Sequence, residues 1–578
     1  MKPASSYADA MAGPDGRKSS SLALFDTMRR RPVETTVSVI LIIILGILIV
    51  YPLVMLGVAA SVPGGQSSMS WEGIRQTLVS PRFHEAWWNT LLSAFLATIL
   101  AVVTGGVFTF CVERTNLPAK GFFRLMLVLP LFVAPLIGGI AWTGMAAPNI
   151  GVLNRILTWV GLDAQFNIYS MTGIILLLGF YKVPYVYLFT SGTLNAIDGS
   201  VEEASRICGR GILYTLYKVT LPMVTPSIIA VSLLCVVLTV ENFGVLAILA
   251  LPANIPFVAS ELYLNVARQP PDYSYATISA IMLIMFTMIG LWLQRRVNKS
   301  NDYVTVSGKG HRAKLIKLNA WRWPVTLVIG VYLFVTVLMP MLVLVYASFL
   351  PFWSKRAAAF TLANYENIFT RGSITRAVNN SLFLSIVGGL ITMILAVSVA
   401  YVVLRTKAVG RNIIDIISTL PLAVPSIAFG IAFLWAWIYV PLPIYGTIWI
   451  LLIAFVAKYL TIGVRNISAS MTQVSPELEA AARVSGASPI RAATTVTIPL
   501  LRNTIIGSWV LSFSLMIKEL NVSILLYSHA SVVLPVLIFD AQEEGNFSQV
   551  AAMSVALSAL IFVAVYVSQR LLKTNHSV

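Results

Sequence analysis

Charged residues are scarce in this 578-residue chain: Asp, Glu, Lys and Arg together make up 11% of it, against 57% hydrophobic residues and a mean hydropathy of +0.83. A soluble core cannot hide that much apolar surface. Hydrocarbon demands spans of about 20 apolar residues with internally satisfied backbone groups, so the composition predicts an all-α, polytopic membrane protein. Cysteine is scarcer still. Cys111, Cys208 and Cys235 form no CxxC pair, which excludes a disulfide framework and a cysteine zinc site. His84, His311, His529 and His576 make no HExxH motif, and no nucleophile or acid–base constellation recurs among the apolar runs. We therefore expect no catalytic residue, no metal site and no cofactor on this chain. It also lacks a GxxxxGK[ST] loop to cradle phosphates, so the energy source is expected on another chain. Acidic residues number 23 against 40 basic ones, giving a net charge of +17. The basic residues sit mostly in short loops between apolar runs, which points to membrane topology and not to a nucleic-acid partner.

Twelve apolar runs are present, in two groups of six. Residues 1–36 read as a cytoplasmic tail, ending in Arg29-Arg30-Arg31-Pro32. The first group, within 37–293, has predicted spans at 37–60, 88–111, 122–145, 169–194, 223–249 and 275–293. A polar linker, 294–324, carries Arg295, Arg296, Lys299, Lys309, Arg312, Lys314, Lys317 and Arg322 against Asp302, and its charge places it in the cytoplasm. The second group, within 325–571, has spans at 325–350, 381–404, 413–439, 444–467, 502–527 and 549–571, and 572–578 form a short tail. Both termini are expected inside. Lys355, Arg356, Arg371 and Arg376 against Glu366 put positive charge on the predicted outside, the one loop that resists this topology.

The two groups are copies. Glu202-Glu203-Ala204-Ser205-Arg206-Ile207-Cys208-Gly209, then twelve residues and Pro222, aligns without a gap on Glu479-Ala480-Ala481-Ala482-Arg483-Val484-Ser485-Gly486, twelve residues and Pro499. The constant offset is 277. Asn89-Thr90-Leu91 matches Asn380-Ser381-Leu382, Arg114-Thr115 matches Arg405-Thr406 and Leu129-Pro130 matches Leu420-Pro421 at an offset of 291, so the second copy lacks fourteen residues of an outer loop. Six spans per copy make the repeats parallel. In each conserved-spacing stretch, at 195–222 and 472–499, Ala and Glu favour a short helix with Glu and Arg four apart, a Gly to end it and a Pro to open the next. A helical knob is thus expected between two spans.

These paired stretches resemble the E-A-A cytoplasmic loops of permease subunits of ATP-binding-cassette (ABC) importers. The resemblance implies the type I importer permease fold in a bacterial inner membrane, two copies of a separate ATPase subunit carrying ATP and Mg, and a substrate-binding protein outside. It also implies that Glu202, Ala204, Gly209, Pro222, Glu479, Ala480, Ala481, Gly486 and Pro499 couple the ATPase to the spans, the glutamates pairing with basic groups on it. Fusion of two halves, with Glu241-Asn242-Phe243-Gly244-Val245 and Pro270-Pro271-Asp272-Tyr273 in one and Lys518-Glu519-Leu520 and Glu544-Gly545-Asn546-Phe547 in the other, is similar to ferric-iron permeases. Asn521 stands where that group commonly has Pro. Related fused permeases serve phosphonate, polyamine, thiamine or sugar phosphate transport. A secondary transporter driven by an ion gradient is the reading from another class; it leaves the two knobs without a purpose.

Charge inside a span costs about 2.5–3.5 kcal/mol, so Glu241, Lys518 and Glu519 are candidates for the translocation path. The 277 offset sets Glu241 opposite Lys518, either as an ion pair between the halves or with each satisfied in its own half. Asp540, Glu543 and Glu544 read as an outer acidic loop, either a contact for the binding protein or a solvated loop. Pro130, Pro135, Pro421 and Pro425 either kink helices that face the path or serve packing.

Overall fold

The computed structural model describes residues 32–61, 71–162, 165–299, 315–354, 359–438 and 440–573. The two tails in large part, the middle of the linker, and Lys355 and Arg356 lie outside them. Among the described residues every extended element is helical, apart from an isolated parallel bridge between Thr115 and Ile316.

Among the described residues ten helices are long and apolar enough to cross a membrane, and two sharply bent pairs, each counted as one span, bring the number to twelve, six in each repeat. The bent pairs are the third predicted span of each repeat. Lys120–Phe132 and Pro135–Ala146 meet at 106°, and Arg411–Ala423 and Ser426–Ile438 at 115°. The prolines sit in the bends. Proline has no N–H to continue the ladder and forces the preceding residue into extended backbone, as at Ala134 (φ −64°, ψ 139°) before Pro135.

The fifth and eleventh spans end earlier than the hydropathy predicts, because a continuous apolar run hides a break. Leu221–Val240 ends at Glu241, and a separate helix, Phe243–Leu249, follows. Ile498–Met516 is likewise followed by Ser523–Leu526. The charged residues of these runs thus sit in the breaks, outside the spans.

The second span, Pro81–Arg114, is about 50 Å long at about 1.5 Å per residue, well beyond the hydrocarbon thickness. It packs closely on Met171–Ala196. A Cβ on Gly105 would lie 2.8 Å from the Val186 Cβ. At the equivalent place in the second repeat the glycine has changed sides: a Cβ on Gly463 would lie 3.0 Å from the Ala396 Cβ. Small residues allow such backbone approach where no hydrophobic force drives helices together in lipid.

The repeats exchange their first helices. Pro32–Leu45 packs on Arg411–Thr419 of the second repeat, and the Ser38 hydroxyl donates to the Val409 carbonyl at 2.7 Å. Reciprocally, Ile329, Leu333 and Val337 of the seventh span share a core with Phe108, Val186 and Val231 of the first repeat. The end of the linker docks on that repeat too, with Ile316 N donating to Arg114 O at 2.9 Å and Asn116 N to Ile316 O at 3.0 Å. The chain forms two compact units. One comprises the residues up to Tyr51 with Gly389–Leu422 and Val456–Ser512; the other comprises Pro52–Gly388, Ala423–Phe455 and the residues from Phe513 on.

Candidate coupling site

The first knob is the helix Gly199–Ile207. The Asp198 carboxylate caps it by accepting from Ser200 N, and Gly209, at φ +77°, ends it. Arg210 N then bonds back to Ser205 O and Gly209 N to Arg206 O, which satisfies the last carbonyls. The second knob, Pro476–Val484, has Ser475 as cap, Gly486 at φ +91°, and the equivalent return bonds from Ala487 N and Gly486 N. Pro222 lies in the first turn of Leu221–Val240, and Pro499 in that of Ile498–Met516.

The knob glutamates turn inward. Glu479 is 9% exposed; one carboxylate oxygen accepts from the Tyr401 hydroxyl and the other from Thr497 Oγ1 at 3.0 Å. Glu202 accepts from Thr220 Oγ1 at 2.9 Å and lies 3.5 Å from the Arg114 guanidinium. Thr220 and Thr497 are equivalent and lie in the π-helical turns at the start of the fifth and eleventh spans, so each carboxylate ties its knob to the root of the following span. This takes the place of the expected support of Glu by Arg within the knob. Ala204, Ala480 and Ala481 are exposed, but the most exposed large apolar side chains on the knobs are Ile207, at 85%, and Val484, at 89%, with Val201 and Leu478 beside them.

The knobs differ inside. Position 401 is Tyr, but its counterpart in the first repeat is Phe110, so Arg114 supplies the second contact there. Ser205 and Thr215 share a 2.9 Å hydrogen bond that Ala482 and Ala492 cannot form. One clamp is common to both: Arg114 donates to Leu194 O at 2.7 Å, and Arg405 to Met471 O at 2.9 Å, in each case pinning the end of the span before the knob. The Arg-Thr match between the repeats marked these arginines; the threonines went unnoticed in the sequence, although a matching Val-Thr stands before Leu221-Pro222 and Ile498-Pro499, and neither pattern by itself discloses a partner.

The path candidates have local tasks as well. Asn242 and Glu519 are equivalent, and each caps the short helix after its break: Val245 N donates to Asn242 Oδ1 and Val522 N to Glu519 Oε1, both at 3.1 Å. Glu241 lies within electrostatic reach of Lys182, a buried lysine that the sequence did not single out and that donates to Leu238 O at 3.0 Å. Lys518 does cross to the other repeat, but its hydrogen-bond partner is the Leu131 carbonyl at 3.0 Å and not Glu241.

Asp540, Glu543 and Glu544 lie at the end of the helix Leu534–Glu543 and not in a loop. The paired Asn-Thr and Asn-Ser residues hold this helix and its counterpart: Val258 N donates to Thr90 Oγ1 at 3.0 Å, and Leu534 N to Ser381 Oγ at 2.8 Å. In the first repeat Arg82 and Glu261 form a two-pronged pair at 2.9 and 2.7 Å. Ser373 replaces Arg82 in the second, and a cavity of about 560 Å³ opens there, lined by Ser373, Arg376, Tyr527, His529 and Asp540. Burial, followed by the neighbouring Glu543 and Glu544, pushes the Asp540 carboxyl up to about 6, and burial raises Glu543. An acid raised in the folded state contributes stability below its ordinary value of 3.8 that is lost as pH rises through about 6. Asp540→Asn removes that charge, so it is expected to raise the melting midpoint of the purified protein at pH 7.5, with the gain shrinking through pH 6 and vanishing near 4. A gain of the same size at every pH would exclude this origin.

Two like repeats of six spans, each with a knob bound to the root of a span, define a membrane permease. Residues 99–302 and 392–575 match the family described as binding-protein-dependent transport system inner membrane component, and with more than half of its length matched the chain belongs to that family, the permeases of ABC importers. It is similar to a ferric transport system permease of Actinobacillus pleuropneumoniae, 23% identical over 82% of this chain and 69% of that one. An Fe(3+)-transport system permease of Haemophilus influenzae is 25% identical over 92% of this chain and 97% of its own length. A putative 2-aminoethylphosphonate transport system permease of Salmonella typhimurium is 28% identical over 41% of this chain and 89% of its own. The protein is thus a multi-pass inner-membrane transport subunit.

Proposed function

We propose that the chain forms the ferric-iron pathway of an ABC importer, with one ATPase subunit seated on each knob and a substrate-binding protein docked on the face that carries Asp540, Glu543 and Glu544. In this reading both termini are cytoplasmic, and ATP and Mg are held by the ATPase pair. ATP binding draws the two ATPases together; each knob moves with its ATPase and, through Glu202–Thr220 or Glu479–Thr497, moves the root of the fifth or eleventh span. The near full-length likeness to the Haemophilus iron permease carries the choice of cargo. The Salmonella relative supports 2-aminoethylphosphonate as a second reading, over a smaller share of the chain.

The test is uptake of labelled ferric iron and of labelled 2-aminoethylphosphonate by cells expressing the permease with its partner subunits, against the Glu202→Ala/Glu479→Ala variant at equal membrane abundance. Iron uptake that the variant loses is the expected result. Uptake of the phosphonate alone would transfer the cargo to the second reading, and iron uptake indifferent to both substitutions would remove the coupling role.

A further inference from the structure

The bend in the third span leaves a carbonyl with no helical partner. In a continuous helix the oxygen of Leu131 would accept from the N–H four residues on, but that residue is Pro135, which has none. In hydrocarbon an unmatched carbonyl has no water to turn to. Its partner comes from the other repeat: Lys518 Nζ donates to Leu131 O at 3.0 Å. A carbonyl at the bend of the second repeat is also met from the first, with Thr287 Oγ1 donating to Ala423 O at 2.8 Å, although there the residue four on, Ile427, has an N–H.

The two contacts differ in strength. Thr287 has one hydroxyl proton, and Leu283 O at 2.8 Å and Ile284 O at 2.9 Å compete with Ala423 O for it. Lys518 as an ammonium has three protons to give; burial lowers its pKa to about 8, which leaves the ammonium the main form at neutral pH, and a charged donor makes the stronger bond. Position matters too. Lys518 stands in the break after Ile498–Met516, and Leu131 stands in the bend, so the bond joins two points where stiff helices give way to turning backbone. Thr497, the residue that holds Glu479 of the knob, lies in a π-helical turn that runs without a break into the helix ending before Lys518. A pull on that knob therefore reaches Lys518 along one continuous helix.

We propose that Lys518 is a latch. It holds the bent third span of the first repeat to the eleventh span of the second while the permease is idle, and it must release Leu131 for the path to open; Thr287 is its weaker counterpart at the other bend. Lys518 is then a positioning residue for transport, whatever the cargo, since the inference rests on the importer family and not on iron.

The test uses the permease assembled with its ATPase in proteoliposomes, with ATP hydrolysis measured without and with loaded binding protein. Lys518→Met removes the donor and keeps the bulk; Lys518→Arg keeps the charge and a donor. Losing the latch is expected to raise unstimulated hydrolysis about tenfold, within the usual range of allosteric coupling, and to flatten the response to binding protein. Lys518→Arg is expected to restore the low unstimulated rate, and Thr287→Val to give a smaller rise. Wild-type rates for Lys518→Met at equal yield of complex would overturn the proposal. So would failure of Lys518→Met to assemble together with unchanged hydrolysis in Thr287→Val, because Lys518 would then be needed for folding alone.

Discussion

Glu479→Ala is expected to lower ATP-driven uptake at least about tenfold while the ATPase remains bound to the permease. The carboxylate is buried, and both of its oxygens are occupied, by Tyr401 and by Thr497. Alanine strands two hydroxyls, at a cost of about 1–3 kcal/mol for each buried donor left without a partner. The structural consequence is a knob no longer joined to the root of the eleventh span, so the docked ATPase closes without moving it. Glu202→Ala is expected to have a milder effect. That carboxylate is less enclosed, with 14% of its side chain exposed, and Arg114 keeps its own bond to Leu194 O. Glu479→Gln retains one acceptor oxygen and should fall between wild type and Glu479→Ala. Uptake by cells at matched membrane abundance, read beside co-purification of the ATPase, decides the matter; normal uptake in Glu479→Ala would refute the tether.

The second large effect lies on the opposite face of the knobs. Ile207→Asp with Val484→Asp should abolish co-purification of the ATPase without disturbing the permease itself. Both side chains are more than four-fifths exposed, so neither contributes much to the fold of the isolated chain. Seated in a partner's cleft, each would bury roughly 1.5–3 kcal/mol of apolar contact, which is lost on substitution and replaced by the penalty of desolvating a carboxylate. Together this is a loss of affinity of at least about a hundredfold. The readout is the amount of ATPase retained on the tagged permease, with the melting midpoint of the permease as control. An unchanged midpoint with the ATPase absent is the expected pair of results; undiminished ATPase would move the docking surface elsewhere.

Much of the architecture was legible because the spans are long and the polar stretches between them short. The repeats could be aligned without the structure, since the knobs keep one spacing and the Asn-Thr and Arg-Thr pairs another. Hydropathy was blind to direction. An apolar run reads the same whether it continues straight or turns through 106°, so the third span looked ordinary although Pro130 and Pro135 were visible in it. It was blind for the same reason to the breaks at Asn242 and Glu519, where a polar side chain replaces a ladder bond. Glu202 and Glu479 were found by pattern, but their orientation depends on Thr220, Thr497 and Tyr401, residues up to 78 positions away in sequence. Lys182 was missed because one charge in a long apolar span leaves its mean hydropathy almost unchanged.

The exchange of first helices has a consequence for synthesis. Ser38 meets Val409, 371 positions further along the chain, and at about 5–20 residues per second the ribosome needs about 20–70 s to supply that partner. This early helix is thus among the last to find its place. Two separate half-permeases would have to make this exchange by diffusion among all the copies in the membrane. Fusion turns it into an encounter within one molecule, in which the waiting helix and its late partner are held at high effective concentration by the chain that joins them.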